Sequence, residues 1–340
     1  MSSLATRTLP LDLRNQIQRI LDHNNKLRVH GKKTASTKTQ SNRAANIFFM
    51  VAQLWELGYR IKKPESLCEK HVQALANHWD KKGDSASLIR CRMTDLRTFA
   101  TWMGKRDVVK DVLNYLPKER IARCTIASRD KSWTGNGVDP MSIIAIAGKI
   151  DERFAAILYL QKTFGFRVKE SIEIRPHRAL TGQGDWVELF EGTKGGRYRK
   201  VPIKNAEQRL AIEEAKRVTG LQRAGRLRWP DCTWQKARRR FYWYMEKLNL
   251  TLKGLGVTAH GLRHGYIHGR YEDETGFPPP IKGGALGKID RATHEMASMT
   301  ISSEAGHGRP DVAPSYYGSY GHQLRNATVK MSFGGMSLPA

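Results

Sequence analysis

The sequence predicts a mainly helical protein with one small β-hairpin, built as a helical domain followed by a mixed α/β domain. The chain has 340 residues, and single cores stop growing beyond roughly 250 residues, so two domains are expected. Apolar residues recur at helical spacing along most of the chain, and two short strand-like runs lie close together in its second half. A hydrophobic content of 40% is sufficient for packed cores.

The charge is strongly one-sided. There are 58 Lys and Arg against 32 Asp and Glu, which gives a formal net charge of +26. Such an excess indicates a polyanionic partner: nucleic acid, a membrane surface or an acidic protein. We find no signal-peptide pattern and no apolar run near the roughly 18 residues of a membrane span, which weakens the membrane alternative. Nucleic acid is favoured over a merely basic soluble protein, because Lys and Arg that neutralise phosphates release counterions.

The cysteines show no paired spacing of the kind that marks a zinc site or a redox motif. They are interpreted as packing residues in a reducing, cytosolic compartment, and no metal or other cofactor is predicted. These residues are Cys68, Cys91, Cys124 and Cys232.

The first half divides into a basic arm and a helical domain. Residues 1–40 show no periodic apolar face and are predicted to be an arm or loop that orders on DNA. Residues 41–127 carry three helical patterns; Gly58 ends the first, and Asp84 or Ser85 is the N-cap of the third. Three arginines on the third helix are predicted to contact DNA: Arg90, Arg92 and Arg97.

The second half begins after a predicted linker, residues 128–138, which is rich in turn-forming residues. A domain over 139–320 follows, and Asp139-Pro140 gives its first helix an N-cap and a proline in the first turn. Strand-like runs at 186–190 and 200–203 flank a glycine-bearing loop, which predicts the β-hairpin. Residues 321–340 are predicted to be a C-terminal tail.

Short motifs in this second domain carry chemically useful residues in a fixed order. They are Thr163–Glu170, Gly192–Arg197, His260–His264, and Gly306-His307 followed by Tyr316. Taken singly, an arginine, a turn lysine or a tyrosine in these motifs is more often structural than functional. Their joint order and spacing are the informative signal.

In these motifs the sequence resembles the tyrosine recombinase or phage integrase family, to which lambda integrase, Cre and the Xer recombinases belong. That family has a Gly-hydrophobic-Arg step with a glutamate three residues later, a lysine in a Thr-Lys-Gly-Gly hairpin loop, a His-x-x-Arg box, and a second histidine nine residues before the nucleophilic tyrosine. The resemblance covers about 140–320 and implies a helical core-binding domain ahead of the catalytic domain. The catalytic residues that it implies are Arg167, Lys194, His260, Arg263, His307 and Tyr316.

The chemistry explains why these residue types belong together. Attack on a phosphodiester builds charge on its non-bridging oxygens, and two guanidiniums, Arg167 and Arg263, offer forked donors that match those oxygens. The histidines can add hydrogen bonds and hold a proton near neutral pH. Lys194 is placed to protonate the departing 5′ oxygen, as the resemblance implies. A phenol is a poor nucleophile unless cations favour its phenolate, and these residues supply the cations.

The match departs from the family pattern in one place. The distance from Arg263 to His307 is 44 residues, which is longer than is usual in the family. Residues 276–300 are therefore predicted to be an insertion. This insertion either contacts DNA or a neighbouring subunit, or forms an inert surface loop. Tyr317 and Tyr320 remain alternatives to Tyr316 as the nucleophile. Two further histidines of the His-x-x-Arg region are interpreted as helix packing or backbone contacts: His264 and His268.

A second DNA-binding surface is predicted where basic and aromatic residues alternate over 234–244. Its aromatic side chains are expected to enter the core and its basic side chains to face DNA. The predicted contacts are Lys236, Arg238, Arg239 and Arg240, together with Arg197 beside the hairpin loop.

The expected function is site-specific recombination through a 3′-phosphotyrosine intermediate. The expected partners are double-stranded DNA with a specific recombination site and further copies of the chain, as a tetramer of two dimers, and the expected location is the cytoplasm, in association with the nucleoid. Two alternatives stay open: a type IB topoisomerase, which relaxes DNA with the same chemistry, and a catalytically silent DNA-binding protein of the same fold.

Overall fold

The computed structural model describes residues 8–27, 34–193, 196, 198–220, 225–284, 287–306 and 312–321. The chain divides into two compact units, with the boundary between Cys124 and Thr125. Within the described ranges, no helix is both long and apolar enough to cross a membrane.

Unit 1 is helical. Its α-helices are α1 (Leu11–Asn24), α2 (Thr37–Glu56), α3 (Glu69–Lys81), α4 (Ala86–Trp102) and α5 (Lys118–Ile121), with 3₁₀ turns at Pro64–Ser66, Arg106–Val108 and Val112–Asn114. The side chain of Ser85 accepts a hydrogen bond from the Leu88 amide and so caps α4. Of the two N-caps that the sequence allows, Ser85 is therefore the one used.

The segment predicted to be an arm contains a packed helix. Leu13, Ile17 and Leu21 on α1 are buried in the core of unit 1, and α1 packs beside α2 and the 3₁₀ turn at Pro64–Ser66. Their spacing of four residues places them on one face of the helix. The prediction failed because the many polar residues of the segment conceal this narrow apolar stripe.

Unit 2 combines helices with a small sheet. Its α-helices are α6 (Pro140–Ile150), α7 (Glu152–Phe164), α8 (Val168–Glu173), α9 (Pro176–Ala179), α10 (Ala206–Thr219), α11 (Trp234–Lys247), α12 (Ala259–Thr275), α13 (Arg291–Glu304) and α14 (Pro314–Tyr317), with 3₁₀ turns at Thr134–Asn136, Gly182–Gly184 and Pro280–Lys282. Its strands are β1 (Leu180–Thr181), β2 (Trp186–Leu189) and β3 (Arg199–Pro202). The predicted cap is confirmed, because Asp139 accepts from the Ser142 amide at the start of α6.

The sheet confirms the predicted hairpin and adds a short strand to it. The strands are antiparallel in the order β1-β2-β3, and Val187 pairs with Val201 in the register of β2 and β3. Both valines are buried in the main core of unit 2, with α7, α10 and α11. This packing fixes the hairpin against the helices that carry the functional residues.

Two segments that were predicted to lack regular packing contribute to the interior of unit 2. The segment 128–138 places Trp133 in the main core. The segment 276–300 leads into α13, whose Ala297 and Ile301 belong to a second apolar cluster with α12 and α14. The second half of the predicted insertion is thus part of the domain interior, which contradicts its interpretation as an inert surface loop.

The cysteines differ in exposure. Cys232 is buried, as expected of a packing residue, whereas Cys91 and Cys124 are exposed. The packing interpretation is therefore wrong for these two exposed cysteines.

Candidate active site

Gly165 ends α7 and sets the position of the residues that follow it. It adopts a positive φ of 59°, and a Cβ at this position would lie 2.3 Å from the Tyr266 ring. Only glycine fits both conditions. The chain then turns through the buried Phe166 to Arg167, which immediately precedes α8.

Arg167 is held by Glu170, one turn along α8. The Glu170 carboxylate accepts from the Arg167 backbone amide at 2.8 Å and from its guanidinium at 2.6 Å. The Arg167 side chain is about one-fifth exposed, whereas Glu170 is fully buried. Arg167 is therefore fixed at its base while its guanidinium stays accessible from solvent.

Arg199 on β3 is a second, buried partner of Glu170. Its Nη1 donates to Glu170 at 2.7 Å, and its other nitrogens donate to the carbonyls of Phe164 and Glu304. Burial lowers the pKa of Arg199 to about 10. Burial alone would raise the pKa of Glu170, but Arg199 and Arg167 outweigh it and hold that pKa below its usual range.

Arg263 lies on α12 and is almost completely buried, at 1% exposure. Its Nη1 donates to the Gly165 carbonyl at 2.5 Å, and its Nη2 donates to the Ala305 carbonyl. The Arg167 Nη2 reaches the same Ala305 carbonyl at 3.4 Å. The two arginines of the predicted phosphate clamp therefore lie side by side on one carbonyl oxygen.

Tyr316 on α14 contacts one arginine of this clamp. The Nε of Arg263 donates to the Tyr316 hydroxyl at 3.3 Å, and Tyr316 is 6% exposed. Tyr317 points elsewhere, because it is fully buried and its hydroxyl donates to Ser298 at 2.7 Å. Tyr320 lies beside the His294 ring, with the centroids 5.7 Å apart. Of the three candidate nucleophiles, Tyr316 has the contact with an arginine of the clamp.

His260 and His264 lie on the same side of α12 as Arg263 and approach the Tyr316 ring. The ring centroids of Tyr316 and His260 are 5.7 Å apart, and those of Tyr316 and His264 are 4.8 Å apart. Burial, and then the nearby charges of Arg263 and Arg167, lower the pKa of His260 to about 4. His260 is therefore neutral at pH 7 in this state, so it can accept a proton there.

Three predicted residues lie outside the part of the chain that the structure describes. They are Lys194, Arg197 and His307. The elements around them are placed: β2 and β3 flank the loop that carries the first two, and α13 ends shortly before the third.

Two family models match the sequence. The one described as "Integrase" covers residues 134–268, and the one described as "Phage integrase, N-terminal" covers residues 21–109. The first match includes Arg167, His260 and Arg263, which the structure brings together around Tyr316.

The chain belongs to the tyrosine recombinase family. It is a site-specific DNA recombinase, an enzyme that cuts and rejoins DNA strands by tyrosine transesterification.

Solved structures of integrases share the fold of the recombinase. The Tn1549 transposon integrase (residues 82–397) in complex with circular intermediate DNA matches with a TM-score of 0.55 and 13% identity, over 92% of this chain and 99% of that one. A lambda integrase (75–356) dimer bound to a COC′ core site matches with a TM-score of 0.57 and 15% identity, over 89% of this chain and 96% of that one. No curated protein shows significant sequence similarity to the chain.

The arginines predicted to contact DNA from α4 have structural partners in unit 1. Arg92 is buried, forms an ion pair with Asp84 and lies over the Trp79 ring, so it is not available to DNA in this structure and the prediction is corrected. Arg90 and Arg97 are half-buried and donate to backbone carbonyls. These bonds hold loops against α4, and contact of Arg90 and Arg97 with DNA stays a prediction.

Helix α11 presents part of the predicted basic surface in the recombinase. Lys236, Arg238 and Arg239 are exposed. Arg240 instead pairs with Asp151 at 3.2 Å and packs over the Trp229 ring, so it is partly withdrawn from solvent.

The aromatic residues of α11 are divided between the core and the surface. Phe241 and Tyr244 are buried as expected, whereas Tyr242 and Trp243 are exposed. The expectation that all aromatic residues of this helix enter the core is therefore wrong. The exposed pair gives the basic surface a component that can stack on bases or sugars.

Sequence reasoning missed Arg199, whereas the interpretation of His264 and His268 as packing or backbone contacts is confirmed, because both are buried and bond to the Tyr316 backbone. A signal for Arg199 exists, because it alternates with Val201 on the inward face of β3, where a charged residue needs a buried partner. For the histidines the signal is their spacing: His260, His264 and His268 recur every four residues and so share one face of the helix.

Proposed function

We propose that the recombinase cleaves DNA through Tyr316. The Tyr316 oxygen attacks the scissile phosphorus, the bond from phosphorus to the 5′ oxygen breaks, and a 3′-phosphotyrosine and a 5′ hydroxyl result. Rejoining reverses these steps with the 5′ hydroxyl of the partner strand, so the bond energy is conserved and no cofactor is required. The phenolic proton must leave as the new bond forms, and the departing 5′ oxygen must receive a proton.

The observation that carries this proposal is the hydrogen bond from Arg263 to the Tyr316 hydroxyl at 3.3 Å. A guanidinium donor beside that oxygen orients the nucleophile and lies where negative charge changes during the attack. The same guanidinium is adjacent to Arg167 through the shared Ala305 carbonyl. A phosphate attacked by Tyr316 would therefore lie next to both clamp arginines, where charge develops in the transition state.

The charge of the site also favours a phosphate ligand. Arg167, Arg199 and Arg263 all act electrostatically on one carboxylate, that of Glu170. Three guanidiniums with one carboxylate leave an excess of positive charge in a largely buried place. Burial, and then the neighbouring Arg167, lower the pKa of Arg263. An anion between the arginines would relieve this repulsion, and a DNA phosphate is such an anion.

The remaining roles rest on the family resemblance together with the chemistry. Neutral His260 can accept the phenolic proton or hold a hydrogen bond to phosphate. Lys194 would protonate the departing 5′ oxygen, and His307 would bind a non-bridging oxygen. With Arg167, Arg263 and Tyr316 these residues form the proposed catalytic set.

The proposed substrate is double-stranded DNA with a specific site, and the proposed active form is a tetramer of two dimers. The exposed Lys236, Arg238 and Arg239 of α11 are proposed as backbone contacts. A lambda integrase tetramer bound to a Holliday junction has the same fold, with a TM-score of 0.52 and 14% identity, over 91% of this chain and 82% of that one. We also propose that the recombinase acts in the cytoplasm on nucleoid DNA.

The two other functions that the sequence leaves open are not favoured. Both matched family models are integrase models rather than topoisomerase models. A catalytically silent protein would have no need of a tyrosine hydroxyl beside two adjacent arginines, and the contact of Tyr316 with Arg263 supports the catalytic function instead.

The test is covalent capture of DNA. A library of nicked duplexes with random sequence is incubated with the recombinase, and the DNA that becomes covalently attached is sequenced to define a cleavable site. Loss of the short fragment at the nick prevents rejoining, so the adduct accumulates. Tyr316→Phe should bind the selected duplex normally and form no adduct, because it lacks only the attacking oxygen.

Tyr317→Phe is the matched control, because it removes a hydroxyl from the adjacent residue. It should form the adduct at close to the parent rate. An adduct that persists in Tyr316→Phe and disappears in Tyr317→Phe would move the nucleophile to Tyr317 and overturn the proposed geometry.

A further inference from the structure

Helix α14 carries the nucleophile and is only four residues long. A helix of this length is not stable by itself, because nucleation costs more than one turn of hydrogen bonds returns. The position of Tyr316 must therefore be set by contacts from outside α14. Polar contacts from outside the helix reach its backbone: the Ala127 amide donates to the Pro314 carbonyl at 2.9 Å, and His268 Nε2 lies 2.9 Å from the Tyr316 carbonyl oxygen. His264, one turn earlier on α12, also forms a hydrogen bond with the Tyr316 backbone.

His268 is completely buried and lies on α12, the helix that also carries His260 and Arg263. A carbonyl oxygen can only accept, so Nε2 carries the proton in this contact. The bond joins the backbone of the nucleophile directly to the helix that holds the clamp. A displacement of Tyr316 relative to Arg263 would have to break or stretch it.

The other nitrogen of His268 faces Asp130. Nδ1 lies 3.6 Å from the Asp130 carboxylate and has no hydrogen-bond partner among the described residues. The carboxylate is fixed in turn, because it accepts from the Ser132 amide at 2.7 Å. With the proton on Nε2, Nδ1 of the neutral ring carries a lone pair, so its contact with the Asp130 carboxylate at 3.6 Å is an ion pair only when the ring is protonated on both nitrogens. The hydrogen bond from Nε2 to the Tyr316 carbonyl is therefore the contact that orients the ring.

We infer that His268 is a positioning residue for the nucleophile: its hydrogen bond to the Tyr316 carbonyl holds the tyrosine oxygen in line with the phosphate gripped by Arg167 and Arg263. This inference rests on the proposed function. A positioning error of about 1 Å commonly costs about 10²-fold in rate. Loss of the bond should therefore slow cleavage by about 10- to 100-fold while DNA binding stays unchanged.

The test compares two substitutions of one residue. His268→Gln retains an N–H donor near the position of Nε2, whereas His268→Leu retains the bulk and loses the donor. Adduct formation is followed in single-turnover reactions with saturating protein on the nicked duplex. His268→Leu should be about 10- to 100-fold slower than the parent, and His268→Gln should be within about threefold of it.

His294→Leu is the matched control for the loss of a buried histidine. His294 on α13 is buried, and its ring bonds to the Tyr271 hydroxyl rather than to Tyr316. His294→Leu should lower the melting temperature about as much as His268→Leu does, and it should leave the cleavage rate within about threefold of the parent. A cleavage rate that His268→Gln retains and His268→Leu loses is a result that a purely structural role of His268 would not give.

The outcomes separate cleanly. If Tyr316→Phe still forms the adduct, the proposed function has failed. If Tyr316→Phe abolishes the adduct but His268→Leu cleaves like the parent, only the positioning role has failed. Equal losses in His268→Leu and His268→Gln would also overturn it, because the donor would then be irrelevant.

Discussion

Replacement of the clamp arginines by lysine should separate catalysis from binding, and the two positions should differ in stability. Lysine keeps the charge but lacks the planar fork that grips two phosphate oxygens. Removal of one donor aimed at developing charge commonly costs about 10²–10³ in rate, or about 3–4 kcal/mol. We expect Arg167→Lys and Arg263→Lys each to cleave more slowly by about this factor, with DNA affinity close to that of the parent, because many other basic residues attract the duplex.

The stability of the two variants should differ because the two guanidiniums have different surroundings. Arg263 uses separate nitrogens to bond to the Gly165 carbonyl, the Ala305 carbonyl and the Tyr316 hydroxyl. One ammonium nitrogen cannot reach all three, and a buried carbonyl left without a partner costs about 1–3 kcal/mol. Arg167 is partly exposed and its main partner is Glu170, which a lysine can also reach. Arg167→Lys should therefore cost less stability than Arg263→Lys.

The assay pairs single-turnover cleavage at saturating protein with denaturant unfolding of both variants. The expected pattern is a similar loss of rate with unequal losses of stability. Cleavage by both lysine variants within a few-fold of the parent would show that these arginines are ordinary backbone contacts. A loss of stability in Arg167→Lys as large as that in Arg263→Lys would show that the described hydrogen bonds do not determine the stability of the site.

Two further predictions concern charge. The affinity for non-specific duplex should fall by about 10³–10⁵ between about 50 and 200 mM salt if six to ten phosphates are contacted. Arg238→Ala should lower the slope of log affinity against log salt by about 1. An affinity of the parent that does not change with salt would exclude the proposed electrostatic surface. The second prediction concerns Glu170, whose pKa is depressed in the folded state. Its contribution to stability is present above the unfolded pKa of about 4.3 and is lost as the pH falls through the folded value. The difference in unfolding free energy between the parent and Glu170→Gln should therefore narrow as the pH falls below about 4, and a difference that does not change between pH 7 and pH 3 would contradict this reasoning.

Much of the fold could be predicted from the sequence, because helices and hairpins leave local patterns. The cap at Asp139 and the two main strands of the hairpin follow from spacing and turn residues over short windows. The helix α1 was missed because its apolar stripe is narrow within a polar segment. The burial of α13 could not be predicted, because it depends on contacts with α12 and α14, which are distant in sequence.

Of the candidate site, only the residues that belong to the sequence motifs could be predicted. The order of Arg167, Arg263 and Tyr316 along the chain points to one chemistry, and the structure places these residues in contact. The motifs do not predict the contacts that hold these residues in place. Arg199 and His268 act through a buried carboxylate and a backbone carbonyl, and neither partner can be identified from spacing alone.

The contacts that could not be predicted are needed for the function, because they hold like charges together. A phosphate clamp requires like charges to lie close together before DNA arrives, and this arrangement is unfavourable by itself. The structure offsets the repulsion with the Glu170 carboxylate and with carbonyls at Gly165 and Ala305. The carbonyls satisfy donors of the guanidiniums without cancelling charge, and the single carboxylate balances only one of the positive charges. The site therefore stays cationic, and its geometry is fixed before the ligand binds, which is the condition under which the arginines stabilise a transition state instead of rearranging around it.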